Sequence, residues 1–157
     1  MLEECQDGRL KLSYRGRIHH DLSSSKEEYT RGFRSTQGII STEGIYLGGA
    51  SNWVPRFNDR LLRFVLNVQL PEGWHVVSQG QGTSRDEQGY ARWTSEELME
   101  QVYLVGGPLR RYQDAAGATE TLVYLRQCDE ALARKYLDTT ARYLEMYRQL
   151  IGPYPYG

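Results

Sequence analysis

The sequence contains little of what most recognisable catalytic or metal sites require. Its 157 residues include two cysteines and three histidines, and neither an H-E-x-x-H nor a C-x-x-C motif occurs. The 19 Lys and Arg residues nearly balance the 20 Asp and Glu residues, so the net charge of −1 argues against a nucleic-acid surface. The chain has no apolar run long enough to span a membrane. We therefore expect no metal ion, cofactor, nucleic acid or membrane span in this chain.

The cysteines and the first residues leave the cellular compartment undecided. Cys5 and Cys128 lie near opposite ends of the sequence, and nothing in their spacing favours a disulfide. The first ten residues lack the basic-then-apolar pattern of a secretory leader. Localisation is left open.

The most informative stretch runs from Leu61 to Val77. A period of two, which is typical of a strand with one buried face, runs up to Leu70, where Leu62, Phe64, Leu66, Val68 and Leu70 alternate with Arg63, Val65, Asn67 and Gln69. Pro71 and Gly73 then favour a tight turn, and a second apolar run follows. We predict a hairpin at the centre of a β-domain, and the 12 Tyr and three Trp residues favour strands as well.

Other short strands surround this hairpin. Residues 20–31 and 48–52 are predicted loops, the second of them flexible, and Gly106-Gly107-Pro108 is predicted to break a strand. The predicted strands cover residues 9–18, 89–93 and 102–105, with a hairpin or two edge strands at 38–47 and a further hairpin from 109–112 and 119–125.

One long amphipathic helix follows the strands. Asp129 is a good N-cap, Glu130 places negative charge in the first turn, and Gly152-Pro153 is a stop signal. The fold class is therefore mainly β, an antiparallel sheet or sandwich followed by one C-terminal helix. Apolar residues recur at helical spacing at Ala133, Leu137, Ala141, Leu144, Tyr147 and Ile151.

No combination of residues in the sequence indicates a catalytic centre. His19 and His20 would point to opposite sides of a strand, and His75 stands alone, so all three are interpreted as surface or loop residues. No G-x-S-x-G elbow is present. Five aromatic residues would either line a sugar- or peptide-binding face or pack in the core: Tyr46, Trp53, Trp74, Tyr90 and Trp93.

The order of several motifs resembles the aminopeptidase N family of zinc metallopeptidases. The segments LPEGWHVVSQG, VYLVGGPLRRY and ARKYLDTTARYLEMYRQLIGPYPYG carry this resemblance, which extends from Leu10 to Gly157. In that family a saddle-shaped β-domain precedes a thermolysin-like catalytic domain. The resemblance implies that residues 1–106 are part of the β-domain. Residues 107–157 would be a strand pair and the first helix of the catalytic domain.

The resemblance also implies that this chain is a non-catalytic fragment. The family's H-E-x-x-H and distal Glu would follow Gly157, and residues 10–18 resemble a strand from the middle of the β-domain. The longer parent would bind zinc and remove N-terminal residues from peptides, while the fragment would do neither. Its partners would be the missing catalytic domain and, in the parent, the peptide substrate.

A substrate-contacting loop is implied for residues 42–55. In better-known members of the family, a loop of the β-domain supplies a Gln or Glu that holds the free amine of the substrate. The candidates here are Glu43, Tyr46 and Trp53, although the segment STEGIYLGGASNWVP departs from the usual pattern. Ordinary edge-strand residues are the alternative interpretation.

Two other functions are compatible with the sequence. One is a self-sufficient β-sandwich that binds protein or carbohydrate through its aromatic residues, and the other is an inactive scaffold related to the peptidases. Unpaired sheet edges and an uncovered helix face further predict that the chain associates with itself.

Overall fold

The described residues form two larger antiparallel sheets, two short strand pairs and a hairpin-helix unit. The computed structural model describes residues 2–4, 10–24, 34–55 and 61–154. The elements are β1 (Leu2–Glu4), β2 (Leu10–Leu12), β3 (Ser23–Ser24), β4 (Arg34–Ser35), β5 (Gly38–Ile40), β6 (Ile45–Leu47), β7 (Leu62–Gln69), β8 (Trp74–Val77), β9 (Gln81–Thr83), β10 (Tyr90–Met99), β11 (Leu104–Pro108), β12 (Arg110–Ala116), β13 (Thr119–Leu125) and α1 (Glu130–Leu150). The predicted class, mainly β with one C-terminal helix, is confirmed.

The two larger sheets enclose the core. One sheet has the order β7-β10-β9 and the other β5-β6-β11-β8, while β1-β2, β3-β4 and β12-β13 form two-stranded pairs. The indole nitrogen of Trp93 on β10 donates to the carbonyl oxygen of Val76 on β8 at 3.1 Å, which joins the two sheets. Val76 is fully buried. The buried core residues are Leu47, Leu70, Val76, Ala91, Trp93 and Leu104.

The prediction that the two central strands, β7 and β8, pair with each other as a hairpin is wrong. The turn exists, with Gly73 at φ 71°, but β7 pairs with β10 whereas β8 pairs with β11. Leu70 before the turn and Val76 after it are both buried in the common core. The turn therefore carries the chain from one sheet to the other, because both strands bury apolar side chains in the space between the sheets.

Gly106, Gly107 and Pro108 do not break a strand as predicted. All three belong to β11, which lies between β6 and β8. A Cβ atom on Gly106 would lie 2.2 Å from the carbonyl oxygen of His75, so only glycine permits this close approach of β8. Pro108 is the last residue of the strand, where β6 no longer pairs.

Other strand limits differ from the prediction. The strand expected at residues 9–18 is only Leu10–Leu12, and the chain pairs again through a single bridge between His19 and Ile39. The strand expected at 89–93 continues to Met99 along the full length of β7. The hairpin of β5 and β6 is confirmed. Within the predicted loop at 20–31, residues 23–24 form β3, and residues 25–31 lie outside the described part.

The hairpin of β12 and β13 supports α1. Their register places the turn at residues 117–118, with Gly117 at φ 68°, and Asp129 caps the helix by accepting from the Leu132 amide at 2.8 Å. Ala133 and Leu137 are buried and Ala141 and Leu144 are half-buried, and we call these four residues the inner stripe.

Two predicted members of the apolar stripe are exposed. Tyr147 and Ile151 keep 50% and 80% of their surface accessible, respectively. The hairpin therefore covers only part of the apolar surface of α1. The predicted domain boundary at 106/107 falls inside β11, and the separate hairpin begins at Arg110. Within the described residues, no helix combines the length and apolar character needed to cross a membrane.

Candidate functional site

Glu43 lies in a tight turn between β5 and β6. The Ser41 amide and hydroxyl both donate to the carbonyl oxygen of Gly44, at 3.0 and 3.2 Å, and the Glu43 amide donates to the Ser41 hydroxyl at 3.2 Å. These bonds fix the backbone of the turn, while the Glu43 carboxylate remains exposed. The turn thus presents a solvent-accessible negative charge on an ordered backbone.

Arg126 ties this turn to the beginning of the helical unit. It follows β13, just before α1, and its guanidinium donates to the carbonyl oxygen of Glu43 at 3.1 Å. A Cβ atom on Gly44 would lie 2.9 Å from the Gly106 carbonyl, and one on Gly107 would lie 3.0 Å from the Glu43 carbonyl. Two glycines therefore let the turn lie directly against β11, where the sandwich continues into the hairpin.

Tyr46 projects from the outer face of the four-stranded sheet. It stands opposite Ile39 on β5 and Val105 on β11, and Val105 in turn stands opposite Val77 on β8. Tyr46 and Val105 are exposed, whereas Leu47 beside Tyr46 is buried in the core. The register thus places exposed Tyr46 and Val105 side by side on the outside of the sheet, whereas Val77 packs against the core cluster.

Trp53 is held against the core. Its indole nitrogen donates to the Val102 carbonyl at 3.1 Å, and its ring packs on the core cluster. Glu43 precedes β6 and Trp53 follows the other end of that strand, so the three candidates do not form one cluster. Glu43 and Tyr46 are accessible to a ligand, but the indole of Trp53 is largely occupied by packing.

The segment before Trp53 is hydrogen-bonded, although a flexible loop is predicted. Residues Gly49–Ser51 form one 3-10 turn, and the Gly49 amide donates to the side chain of Gln101 at 2.8 Å. The Gln79 side chain donates to the Gln101 carbonyl at 2.8 Å and accepts from the Tyr103 amide at 2.9 Å. The sequence analysis missed Gln79 and Gln101. Both residues come close to the turn only through hydrogen bonds between positions that are far apart in the sequence.

The five aromatic residues do not share a face. Trp93 is buried, Trp53 and Trp74 pack against the same core, and Tyr46 and Tyr90 are exposed on different sheets. A continuous aromatic platform of the kind that binds sugars is not formed by these residues.

A polar cluster lies between the sandwich and the hairpin. The Nδ1 atom of His75 lies 3.2 Å from the hydroxyl of buried Ser84, and its ring is 6.1 Å from that of Tyr124 on β13. The Tyr124 hydroxyl is buried without a hydrogen-bond partner among the described residues. Burial, with Arg85 and then Arg111 nearby, lowers the pKa of His75. Neutral imidazole is therefore favoured at this junction.

The described residues offer no site for zinc. They contain no group of three His, Cys, Asp or Glu side chains that could hold a metal ion. His19 contacts exposed Asp21 at 3.5 Å, and His75 contacts Ser84, so these histidines belong to separate environments. Residues of this kind do not fit the three-ligand set of a catalytic zinc.

Comparison with protein-family models, with curated proteins and with solved structures finds no match for this chain.

Proposed function

We propose that this chain is the non-catalytic β-domain portion of a zinc metallo-aminopeptidase, with the first helix of the catalytic domain attached. The parent removes N-terminal residues from peptides. The observation that carries the proposal is the bond from Arg126 to the Glu43 carbonyl at 3.1 Å. It holds the loop that the family resemblance assigns to the substrate cleft against the start of the helical unit.

Glu43 has the chemistry that this role needs. A peptide substrate of an aminopeptidase carries a protonated amine at its N-terminus, and an accessible carboxylate on a fixed backbone attracts such a group. The Glu43 carboxylate is exposed and its turn is held by Ser41 and Arg126. In the parent, Glu43 binds and orients the amine. Tyr46 is the second residue of β6, the strand that follows the turn.

Zinc chemistry belongs to the parent and not to the described residues, since these provide no ligand set. When bound, the zinc of such a peptidase activates water for attack on the peptide carbonyl. In this proposal the chain positions the substrate and packs against the catalytic domain.

The first test is to read the gene beyond the codon for Gly157. The proposal expects H-E-x-x-H followed by a Glu on a later helix. If neither is encoded, the chain is an inactive relative or the resemblance is false. The purified 157-residue chain should neither retain zinc by elemental analysis nor hydrolyse aminoacyl p-nitroanilides. Stoichiometric zinc together with this activity would overturn the assignment.

The second test addresses Glu43 in the full-length parent. Replacing Glu43 by Ala should raise KM for aminoacyl p-nitroanilides more than it lowers kcat, because the lost contact binds the substrate amine. Glu72→Ala is the matched control, since Glu72 is also an exposed carboxylate in a turn but lies between β7 and β8. Equal kinetics for the two variants would exclude Glu43 from amine binding.

A further inference from the structure

The exposed side of α1 carries a second stripe with a regular spacing, made of five apolar residues and Thr139. Its members recur in alternating steps of four and three residues, which is the spacing of the contact positions in a coiled coil. We call this set the outer stripe: Leu132, Tyr136, Thr139, Tyr143, Met146 and Leu150. It runs for about 27 Å along the helix at 1.5 Å per residue.

The outer stripe is separate from the inner stripe that faces the hairpin. Tyr143 is 53% exposed and Leu150 is 74% exposed, and the rings of Tyr143 and Tyr147 stack with their centroids 6.4 Å apart. An amphipathic helix on a globular domain usually has one apolar face about 100° wide. The two stripes together are wider, which is typical of a helix packed against partners on two sides.

Among the described residues, the unpaired charges beside the outer stripe are positive and lie along one edge of it. Lys135 and Arg142 flank it at positions equivalent to the g sites of a heptad, and neither forms an ion pair with another described residue. The acidic groups nearby are already engaged, since Asp138 pairs with Arg134 at 3.2 Å and Glu145 pairs with Arg148 at 2.7 Å. Two cations are thus available along one edge of an exposed apolar stripe.

We propose that the outer stripe binds an α-helix whose own apolar stripe is flanked by Asp or Glu residues. Such a helix would cover the exposed tyrosines and place carboxylates opposite Lys135 and Arg142. The inference does not depend on the zinc-peptidase assignment, because it concerns only the surface of α1.

A second copy of this chain fits the surface less well. In an antiparallel pairing of two α1 helices, the g positions of the two copies face each other. Lys135 and Arg142 of one copy then lie against the same two cations of the other copy. In a parallel pairing they face Thr140 and Tyr147, which are uncharged. Neither arrangement supplies an opposite charge, so charge complementarity favours a different helix.

The test uses two synthetic helical peptides of about four heptads. Both have Leu at the a and d positions, and one has Glu whereas the other has Lys at e and g, which prevents each from pairing with itself. Fluorescence anisotropy with the purified chain should show several-fold tighter binding of the Glu peptide, with the preference weakening at high salt. Equal affinity for the two peptides, or no binding of either, would overturn the proposal.

Charge reversal in the protein sharpens the test. The double variant Lys135→Glu/Arg142→Glu should invert the preference between the peptides. Arg17→Glu/Arg110→Glu is the matched control, since it changes the net charge equally at exposed arginines outside α1 and should keep the original order. Circular dichroism verifies that the helix is retained in each variant. An unchanged preference after reversal at Lys135 and Arg142 contradicts the proposed role of these cations.

Tyr143→Glu tests the apolar part of the surface. This variant should abolish binding of both peptides while the chain stays monomeric in light scattering. If the wild-type chain is instead a dimer that Tyr143→Glu converts to a monomer, a second copy occupies the outer stripe and the proposed acidic helix is wrong.

Discussion

The sandwich and the hairpin-helix unit bury their apolar surface in different ways. In the sandwich, two sheets cover each other, so that Val76, Trp93 and Leu104 are removed from water. In the helical unit, one hairpin covers one side of α1 and buries only Ala133 and Leu137. Along the other side, the tyrosines and Leu150 remain exposed.

This difference indicates which region is self-sufficient. Apolar burial is the main stabilising contribution to folding, and a two-stranded hairpin provides little of it alone. We therefore expect the sandwich to hold most of the free energy of unfolding and the helical unit to open at lower cost. The unit then gains stability when a partner covers α1.

The largest effect is expected from Trp93→Ala in the sandwich. The substitution leaves a cavity between the sheets and removes the hydrogen bond to the Val76 carbonyl. The free energy of unfolding should fall by about 3–5 kcal/mol, measured by urea denaturation followed by circular dichroism. Tyr90→Ala on the same strand is the control, because Tyr90 is exposed and its loss should cost much less. A similar loss in both variants would contradict the assignment of the core.

A smaller and more local effect is expected from Leu137→Ala in α1. Leu137 is buried against the hairpin, so its truncation should destabilise the helical unit by about 2–4 kcal/mol. Hydrogen exchange should accelerate in α1 and leave β10 protected. Leu132→Ala is the matched control on the outer stripe, where the loss should stay below about 1 kcal/mol. Equal acceleration in α1 and β10 would mean that the two regions unfold together.

The N-cap of α1 provides a third and still smaller effect. Asp129 accepts a hydrogen bond from the Leu132 amide at 2.8 Å, so Asp129→Ala should cost about 1 kcal/mol. Asp129→Asn keeps an acceptor of similar capping strength and should lose only a fraction of this. The measurement is the same exchange experiment, read in the first turn of α1. If Asn and Ala behave alike, the side-chain acceptor contributes nothing to the helix.

The sequence predicts these local features well because their causes are local. The Asp129 cap and the Gly152-Pro153 stop act within a few residues, and α1 appears where it is expected, as does the strand predicted at residues 119–125. The class of fold follows from the same patterns. The exposure of Tyr147 does not follow, because the width of the hairpin that covers α1 is not encoded in the helix itself.

Contacts between distant residues account for what the sequence could not predict. β8 leaves the expected hairpin because Gly106 permits its close approach to β11, a fact that requires the neighbouring strand to be known. The bond between Arg126 and Glu43 joins positions 83 residues apart. The Gln101 contact that fixes the turn at Gly49 spans 52 residues. Nothing in the sequence around these residues indicates that they form such contacts.

The smallest expected effect concerns the junction between the two regions and depends on pH. His75 on β8 faces Ser84 and Arg85 from the sandwich, and Tyr124 and Arg111 from the hairpin, where Arg111 also contacts Glu120 at 3.4 Å. Burial, Arg85 and Arg111 lower the pKa of His75, so the folded state binds fewer protons than the unfolded state below the usual His pKa of about 6.5.

Stability should consequently fall as the pH drops through this range, because the unfolded chain takes up the proton more readily. The free energy of unfolding at pH 7.5 and pH 5.5 gives the comparison, with His75→Gln as the uncharged variant. His19 and His20 are present in both proteins, so their contribution cancels in the difference. The wild type should lose more stability on acidification than His75→Gln, and faster hydrogen exchange in β13 would locate the loss at the junction. An equal or greater loss in the variant would show that protonation of His75 does not destabilise the folded state.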